Sequence, residues 1–235
     1  ILLNILTILP LISLLYSGQT ISQSSFQNDA ILKIEVVKRS GSSKKAYPSG
    51  NGFLISKEGQ FLTSYKLVKL AIRSPFRYRL KVTNNLGDEL FNIKSAGCGD
   101  RKKVDLCLFR ANYTIIAPFL LDSESLIKNE EVSSTSLLKN KSVSNNQGSF
   151  LNYELFENIE HIKSTIPYTD KFLGSPILNK KKKVVAMISY TFDSNDFDSI
   201  NLFLSAKSIL KFIENKQEFH SLEPMKERSR KTKKR

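Results

Sequence analysis

The sequence has few of the side chains on which most metal sites and many catalytic sites depend. Among its 235 residues are two histidines, two cysteines and no tryptophan. Two thiols are too few for a disulfide-dense scaffold or a four-thiolate zinc site. No cluster of His, Cys and carboxylate residues has the spacing of metal ligands, so we expect no metal and no other cofactor. Any imidazole chemistry would have to come from His161 or His220.

Acidic residues are scarce relative to basic ones. The chain has 36 Lys and Arg against 22 Asp and Glu, which gives a formal net charge of +14 and an isoelectric point near 9.7. A balance of this kind favours contact with polyanions or with an anionic membrane surface. Hydrophobic residues make up 40% of the chain and charged residues 25%, a composition typical of a globular domain rather than a disordered or fibrous protein.

The longest apolar run, Ile1–Tyr16, is interrupted by Pro10 and gives way to polar residues at Ser17. Its length fits the hydrophobic segment of a secretory signal better than a membrane-spanning helix, which needs about 20 residues. We therefore predict a truncated signal peptide, or an uncleaved membrane anchor, over residues 1–22, with Thr20–Ser22 as a candidate cleavage site and Ser17 or Gly18 as rivals. Either interpretation implies an exported protein that is periplasmic, cell-envelope-associated or secreted.

Two basic segments are candidates for binding polyanions or anionic membranes. Residues 217–235 have the composition of a disordered basic tail, and the lysine run at 180–183 is most simply a solvated hairpin turn between two apolar strands. Neither segment interleaves aromatic residues as a base-stacking surface does, so no nucleic acid is expected as a partner. The candidate residues are Lys180, Lys181, Lys182, Lys183, Arg228, Arg230, Lys231, Lys233, Lys234 and Arg235.

The body of the chain has the pattern of a β-protein. Between Ala30 and Ser199, short apolar runs alternate with turn residues, and residues 117–166 are less regular. A terminal helix is predicted over Ala206–Asn215, with Ser205 as N-cap and apolar residues at helical spacing. Many short strands with one helix indicate an antiparallel barrel or sandwich. The predicted strands cover residues 31–37, 52–55, 60–63, 77–82, 89–93, 104–109, 176–178, 184–188 and 201–204.

Four segments carry a more specific pattern than strand periodicity. They are GNGFLISKEGQFLTSYKLV at 50–68, GCGDRKKVDLCLF at 97–109, FLGSPILN with VVAMI at 172–188, and NLFLSAKSILKFI at 201–213. In this order they resemble the segments around the catalytic His, Asp and Ser, and the closing strand and helix, of HtrA-type (DegP-like) proteases in the trypsin-like serine protease family. The resemblance implies an all-β fold over residues 30–216: a trypsin-like double antiparallel β-barrel of two six-stranded barrels, with a C-terminal helix and a cleft between the barrels.

At the catalytic positions the sequence departs from that family's pattern. Lys66 stands where the general-base His is expected and Leu173 where the nucleophile is expected, whereas Asp105 matches its position. A lysine is charged near neutral pH and leucine has no lone pair, so neither can do the work of the residue it replaces. The resemblance therefore implies a pseudoprotease with no intact catalytic residues, an ion pair between Lys66 and Asp105, and an unidentified protein or peptide bound at the vestigial cleft.

Two other functions stay open. In the first, the chain is a weakly active serine endopeptidase in which Ser175 serves as a displaced nucleophile and Lys66 as its base. Ser175 lies two residues beyond the expected position, which in a strand is a displacement of about 6–7 Å. In the second, the chain is an envelope-bound module whose basic tail binds polyanions. The resemblance also makes a homo-oligomer an open alternative.

Cys98 and Cys107 flank a predicted hairpin turn over Gly99–Lys103. In an exported protein, two cysteines on neighbouring strands are able to form a disulfide if their Cα atoms approach within about 7 Å. Two buried thiols are an equally ordinary interpretation, since cysteine also packs as a small apolar residue. The sequence leaves both alternatives open.

Overall fold

Two antiparallel sheets account for most of the regular structure in a computed structural model of the protein. The structure describes residues 28–40, 47–99, 104–138, 140–189, 202–216 and 218–222. The predicted signal or anchor at 1–22 and the end of the basic tail at 223–235 lie outside these residues. Within the described part of the chain, no helix is long and apolar enough to cross a membrane.

The first sheet contains eight strands among the described residues. The strands are β1 Ile31–Lys38, β2 Ser49–Leu54, β3 Gln60–Thr63, β4 Tyr78–Thr83, β5 Glu89–Leu90, β6 Lys94–Cys98, β7 Cys107–Arg110 and β14 His220–Ser221. Their order in the sheet is β14-β6-β7-β3-β2-β1-β4-β5. The predicted hairpin between β2 and β3 is confirmed, and Gly59 adopts a φ of +79° at its turn, a conformation that glycine adopts at little cost.

The second sheet is a closed barrel with the order β10-β13-β12-β11-β8-β9. Three of its strands lie in the segment 117–166 that the sequence analysis took as less regular, and that interpretation was wrong. In β8 and the first half of β9, serine, threonine and asparagine are the majority, so these segments lack the apolar alternation that predicts a strand. Their order comes from their pairing with each other. The strands are β8 Glu131–Leu137, β9 Val143–Phe156, β10 Ile159–Ser164, β11 Pro176–Leu178, β12 Val184–Met187 and β13 Leu202–Ser205.

Two helices pack against these sheets. The predicted terminal helix is confirmed as α2, Ala206–Glu214, and the Ser205 hydroxyl accepts a hydrogen bond from the Ser208 backbone N–H at its start. The other helix, α1 at Tyr65–Arg73, was not predicted from the sequence. Ser64, a residue type preferred at the N-cap, precedes α1, but no acidic residue lies in the first turn, so the sequence signal for a helix start is weak. In the structure, the Ser64 side chain makes no capping bond.

The apolar core extends from the first sheet into the second barrel. Phe53, Phe61 and Phe109 are fully buried in the first sheet, and the rings of Phe61 and Phe109 stack with centroids 5.3 Å apart. The same core cluster includes Leu173 and Met187 from the second barrel. A second cluster fills the barrel itself. Because the first cluster spans both sheets, residues at their junction are held by packing from two sides.

The described fold continues beyond residue 216, where the sequence analysis placed the start of a disordered tail. His220 and Ser221 form β14, which pairs with β6, and the Leu222 N–H donates to the Ile93 carbonyl at 3.4 Å. The Phe219 ring lies 4.5 Å from the Arg110 guanidinium carbon. The described fold therefore extends to residue 222 rather than ending at 216, since strand pairing and an aromatic contact hold these residues to the sheet.

Candidate functional site

The three positions that the sequence resemblance matched to a catalytic triad lie close together in the structure. Lys66 is the second residue of α1, Asp105 lies two residues before β7, and Leu173 follows a 3₁₀ turn at Asp170–Phe172. Lys66 and Leu173 border one cavity of about 290 Å³, and Asp105 bonds directly to Lys66. We call this cavity the cleft cavity; its walls include Lys66, Leu67, Lys69, Asp170, Lys171 and Leu173.

Both carboxylate oxygens of Asp105 are engaged in hydrogen bonds with the start of α1. Asp105 is 3% exposed; its Oδ2 accepts from the Ser64 hydroxyl at 2.6 Å and its Oδ1 from the Lys66 backbone N–H at 2.8 Å. The Asp105 carboxylate thus caps the start of α1 by accepting a backbone N–H, whereas the side chain of Ser64, the N-cap residue, makes no capping bond. A carboxylate at this end of a helix is also favoured by the helix dipole. Asp105 therefore has a structural role that requires no catalysis.

The Lys66 ammonium lies 3.7 Å from Oδ1 of Asp170. The side chains of Lys66 and Asp170 are 33% and 79% exposed, so this is a surface ion pair of modest strength. The Tyr168 hydroxyl donates to the same carboxylate oxygen at 3.0 Å. The sequence analysis paired the Lys66 side chain with Asp105 and gave no sign of Asp170, which reaches Lys66 only because the 3₁₀ turn lies across from α1.

The side chain of Leu173 is apolar and buried, at the position where the sequence resemblance leads us to expect a nucleophile. Its side chain is 2% exposed, and its carbonyl accepts a hydrogen bond from the Asn51 N–H at 2.8 Å. The next residue, Gly174, has a φ of +84°, and a Cβ there would lie 2.0 Å from the Asn51 carbonyl oxygen. Only glycine fits at position 174, because any side chain there would collide with the Asn51 backbone.

The backbone amides around Leu173 donate within the chain. The N–H groups of Phe172, Leu173, Gly174 and Ser175 donate to the carbonyls of Thr169, Asp170, Ile188 and Phe172, at 2.9, 3.4, 2.7 and 2.9 Å respectively. An oxyanion hole requires amides that point at the reacting oxygen. These four amides are already engaged and provide no such donor in this conformation.

Ser175, the alternative nucleophile, lies inside the second barrel. It is fully buried, and its hydroxyl oxygen is 2.8 Å from that of Ser136 on β8. A nucleophile has to reach the carbonyl carbon of its substrate. Its burial therefore argues against a displaced Ser175/Lys66 pair.

Asn51 holds the 3₁₀ turn of the cleft in place through side-chain hydrogen bonds, and the sequence analysis did not single it out. The side chain is fully buried; its Nδ2 donates to the Lys171 carbonyl at 2.9 Å and its Oδ1 accepts from the Leu137 N–H at 2.8 Å. Its carbonyl accepts from the Thr63 hydroxyl at 2.6 Å. One amide thus joins β2 to the 3₁₀ turn and to β8. An Asn inside an otherwise small and apolar strand segment was the available signal.

The two histidines lie elsewhere. His161 is in β10, 4% exposed, with Nδ1 3.0 Å from the Ile159 carbonyl oxygen, and burial lowers its pKa below the ordinary value of 6.5. His220 is exposed in β14. Neither borders the cleft cavity. In the described residues, no three His, Cys, Asp or Glu side chains come together as metal ligands.

Cys98 and Cys107 form a disulfide between β6 and β7. They are directly opposite one another in the antiparallel register, with Cα atoms 4.0 Å apart. Of the two alternatives that the sequence left open, the structure has the disulfide, because the hairpin brings the two strands into pairing at these residues.

The lysine run at 180–183 connects β11 to β12, so it is the hairpin turn that the sequence predicted. Two of its side chains face carboxylates: Lys181 Nζ is 3.2 Å from Glu124 Oε2, and Lys183 Nζ is 3.8 Å from Asp122 Oδ2. The other basic candidates, Arg228 to Arg235, lie outside the described residues. Among the described candidates, none of the lysines at 180–183 borders the cleft cavity.

Comparison with known proteins supports the fold. No protein-family model and no curated protein matches the sequence. Among solved structures, the crystal structure of Deg5, an HtrA-type protein, superposes with a TM-score of 0.65 at 16% sequence identity, covering 80% of this chain and 88% of that one. At this identity the likeness establishes the fold alone: the chain has a trypsin-like double β-barrel with a C-terminal helix.

Proposed function

We propose that this protein is an exported, catalytically inactive trypsin-fold protein of the HtrA type that binds a protein or peptide at its cleft. The observation that carries the proposal is the buried side chain of Leu173 at the position of the nucleophile. A hydrocarbon side chain provides no lone pair to attack a carbonyl carbon. Losing the nucleophile or the base of a serine protease triad costs on the order of 10⁶-fold in turnover.

The surroundings of Leu173 support the same conclusion. The amides from Phe172 to Ser175 donate within the chain, so none of these four is available in this conformation to stabilise a tetrahedral oxyanion. The Lys66 ammonium is partly exposed and lies 3.7 Å from the Asp170 carboxylate, and an ammonium in an ion pair has no lone pair to accept a proton from a nucleophile. Asp105 is retained in this arrangement as the cap of α1.

Export is supported by the apolar segment at the start of the sequence and by the disulfide. Disulfides persist in oxidising compartments such as the periplasm and the extracellular space, and they are rare in the cytosol. The link between Cys98 and Cys107 fits such a location.

A fluorophosphonate probe tests the proposed inactivity, because it labels activated serine nucleophiles. The full chain, its Ser175→Ala variant and an active trypsin-fold protease would be incubated with the probe and resolved by denaturing gel. We expect labelling of the active protease alone. Labelling of the wild-type chain that Ser175→Ala abolishes would establish the displaced Ser175/Lys66 pair and overturn the proposal.

A further inference from the structure

The cleft cavity has more positive than negative charge around it. Three lysines, Lys66, Lys69 and Lys171, border it together with one carboxylate, Asp170, a formal net charge of +2. That carboxylate already lies 3.7 Å from Lys66 Nζ and accepts the Tyr168 hydroxyl. Lys69 and Lys171 are exposed, and no carboxylate of the described residues lies within 4.0 Å of either ammonium. Two cations at the mouth of the cavity are therefore available to an incoming anion.

The floor of the same cavity is apolar. Leu67 and Leu173, each 2% exposed, contribute to it, and Pro48 lies at its edge. Leu173 is there because the position of the nucleophile is taken by a hydrocarbon side chain. The cavity thus combines an apolar floor with a cationic rim, the arrangement of a site where a few polar groups orient an apolar ligand.

From this arrangement we propose that the cleft cavity binds an acidic peptide segment of a partner protein, one in which an apolar side chain is flanked by carboxylates. The inference rests on the proposed function, since it gives the partner class for the inactive cleft. The apolar side chain lies on Leu67 and Leu173, and the flanking carboxylates lie against Lys69 and Lys171. The net charge of +14 draws acidic segments toward the protein from a distance.

The charges and the volume favour a peptide over a polyanion. A sulfated polysaccharide or a nucleic acid backbone gains affinity from a continuous row of cations and has no apolar group for the floor. A cavity of about 290 Å³ accommodates one or two side chains and is near the lower end of the usual range for ligand pockets. A second copy of this chain is disfavoured as the occupant by its own positive charge.

Fluorescence polarisation with a labelled nine-residue peptide, three repeats of Asp-Leu-Glu, tests the proposal on the full chain. Lys69→Glu/Lys171→Glu reverses both available charges, and Lys57→Glu/Lys128→Glu makes the same change in net charge at exposed sites that do not border the cavity. We expect the first variant to weaken binding by about tenfold or more and the control by no more than about twofold. Should the first variant fail to fold, Lys69→Gln/Lys171→Gln replaces it.

The other arms identify what binds. A peptide with serine in place of each leucine is expected to lose about tenfold in affinity. A heparin fragment that binds as tightly as the leucine peptide, equal losses in both charge variants, or no peptide binding would each overturn the proposal. Cleavage of the bound peptide, seen by mass spectrometry, would overturn the proposed inactivity and leave the binding site standing. Absence of both binding and cleavage would overturn the peptide site alone.

Discussion

Removing the Asn51 side chain should destabilise the protein, because its amide bonds to two other segments of the chain. In Asn51→Ala, the buried Leu137 N–H and the part-buried Lys171 carbonyl lose their side-chain partners. A buried polar group left unsatisfied costs about 1–3 kcal/mol and a part-buried one less, so the free energy of unfolding should fall by about 1–4 kcal/mol. Against a total of about 5–15 kcal/mol for a domain, this is a large fraction of the stability.

Urea unfolding followed by circular dichroism measures this loss directly. Asn145→Ala is the matched control, because Asn145 is exposed on β9, and surface changes of this kind stay within about 0.5 kcal/mol. Asn51→Asp keeps the shape of the side chain and one acceptor oxygen, but it replaces the Nδ2 donor with a second oxygen that faces the Lys171 carbonyl. Two acceptors cannot bond to each other and a buried carboxylate is costly, so this variant should not restore stability at pH 7. A loss below about 1 kcal/mol in Asn51→Ala would refute the claim that this amide joins the sheet to the cleft.

Two further predictions concern the disulfide and the buried histidine. Cys98 and Cys107 are 9 residues apart in the sequence, and replacing both by alanine should lower the free energy of unfolding by about 2–3 kcal/mol and Tm by about 5–10 °C. Dithiothreitol should lower the Tm of the wild type but not that of the double variant. Equal responses of the two proteins to dithiothreitol would contradict this prediction. Because burial lowers the pKa of His161, the unfolded chain takes up a proton first as pH falls through 6.5, so stability should decline below that pH. His161→Gln should show a shallower decline between pH 7 and 5.5 in urea unfolding; identical slopes would rule out His161 as the cause.

Sequence patterns located the elements whose signals are local. The hairpin around Gly59 and the helix capped by Ser205 were both predicted, since a turn glycine and an N-cap act on their immediate neighbours. By contrast, α1 was missed, because its capping acceptor is Asp105, which lies about forty residues further along the chain. The polar strands β8 and β9 were missed for a related reason: their partners, rather than their own residues, make them strands.

At the cleft, the sequence showed which residues stand at the triad positions but not what surrounds them. That Ser175 is buried against Ser136, and that Lys66 has Asp170 beside it, follows from the way two separate sheets meet. The same holds for Asn51, whose amide bonds to segments 86 and 120 residues away in the chain. Contacts of this range have no signature in a local pattern.

The sequence by itself was sufficient to question catalysis, because the chemistry of a side chain is a property of its residue type. Histidine is scarce, and a lysine and a leucine stand at positions 66 and 173. The tertiary structure decided where the neighbouring amides donate, which cations border the cleft cavity and which of two cysteine states is present. These depend on distances between segments far apart in the sequence, and only folding fixes such distances.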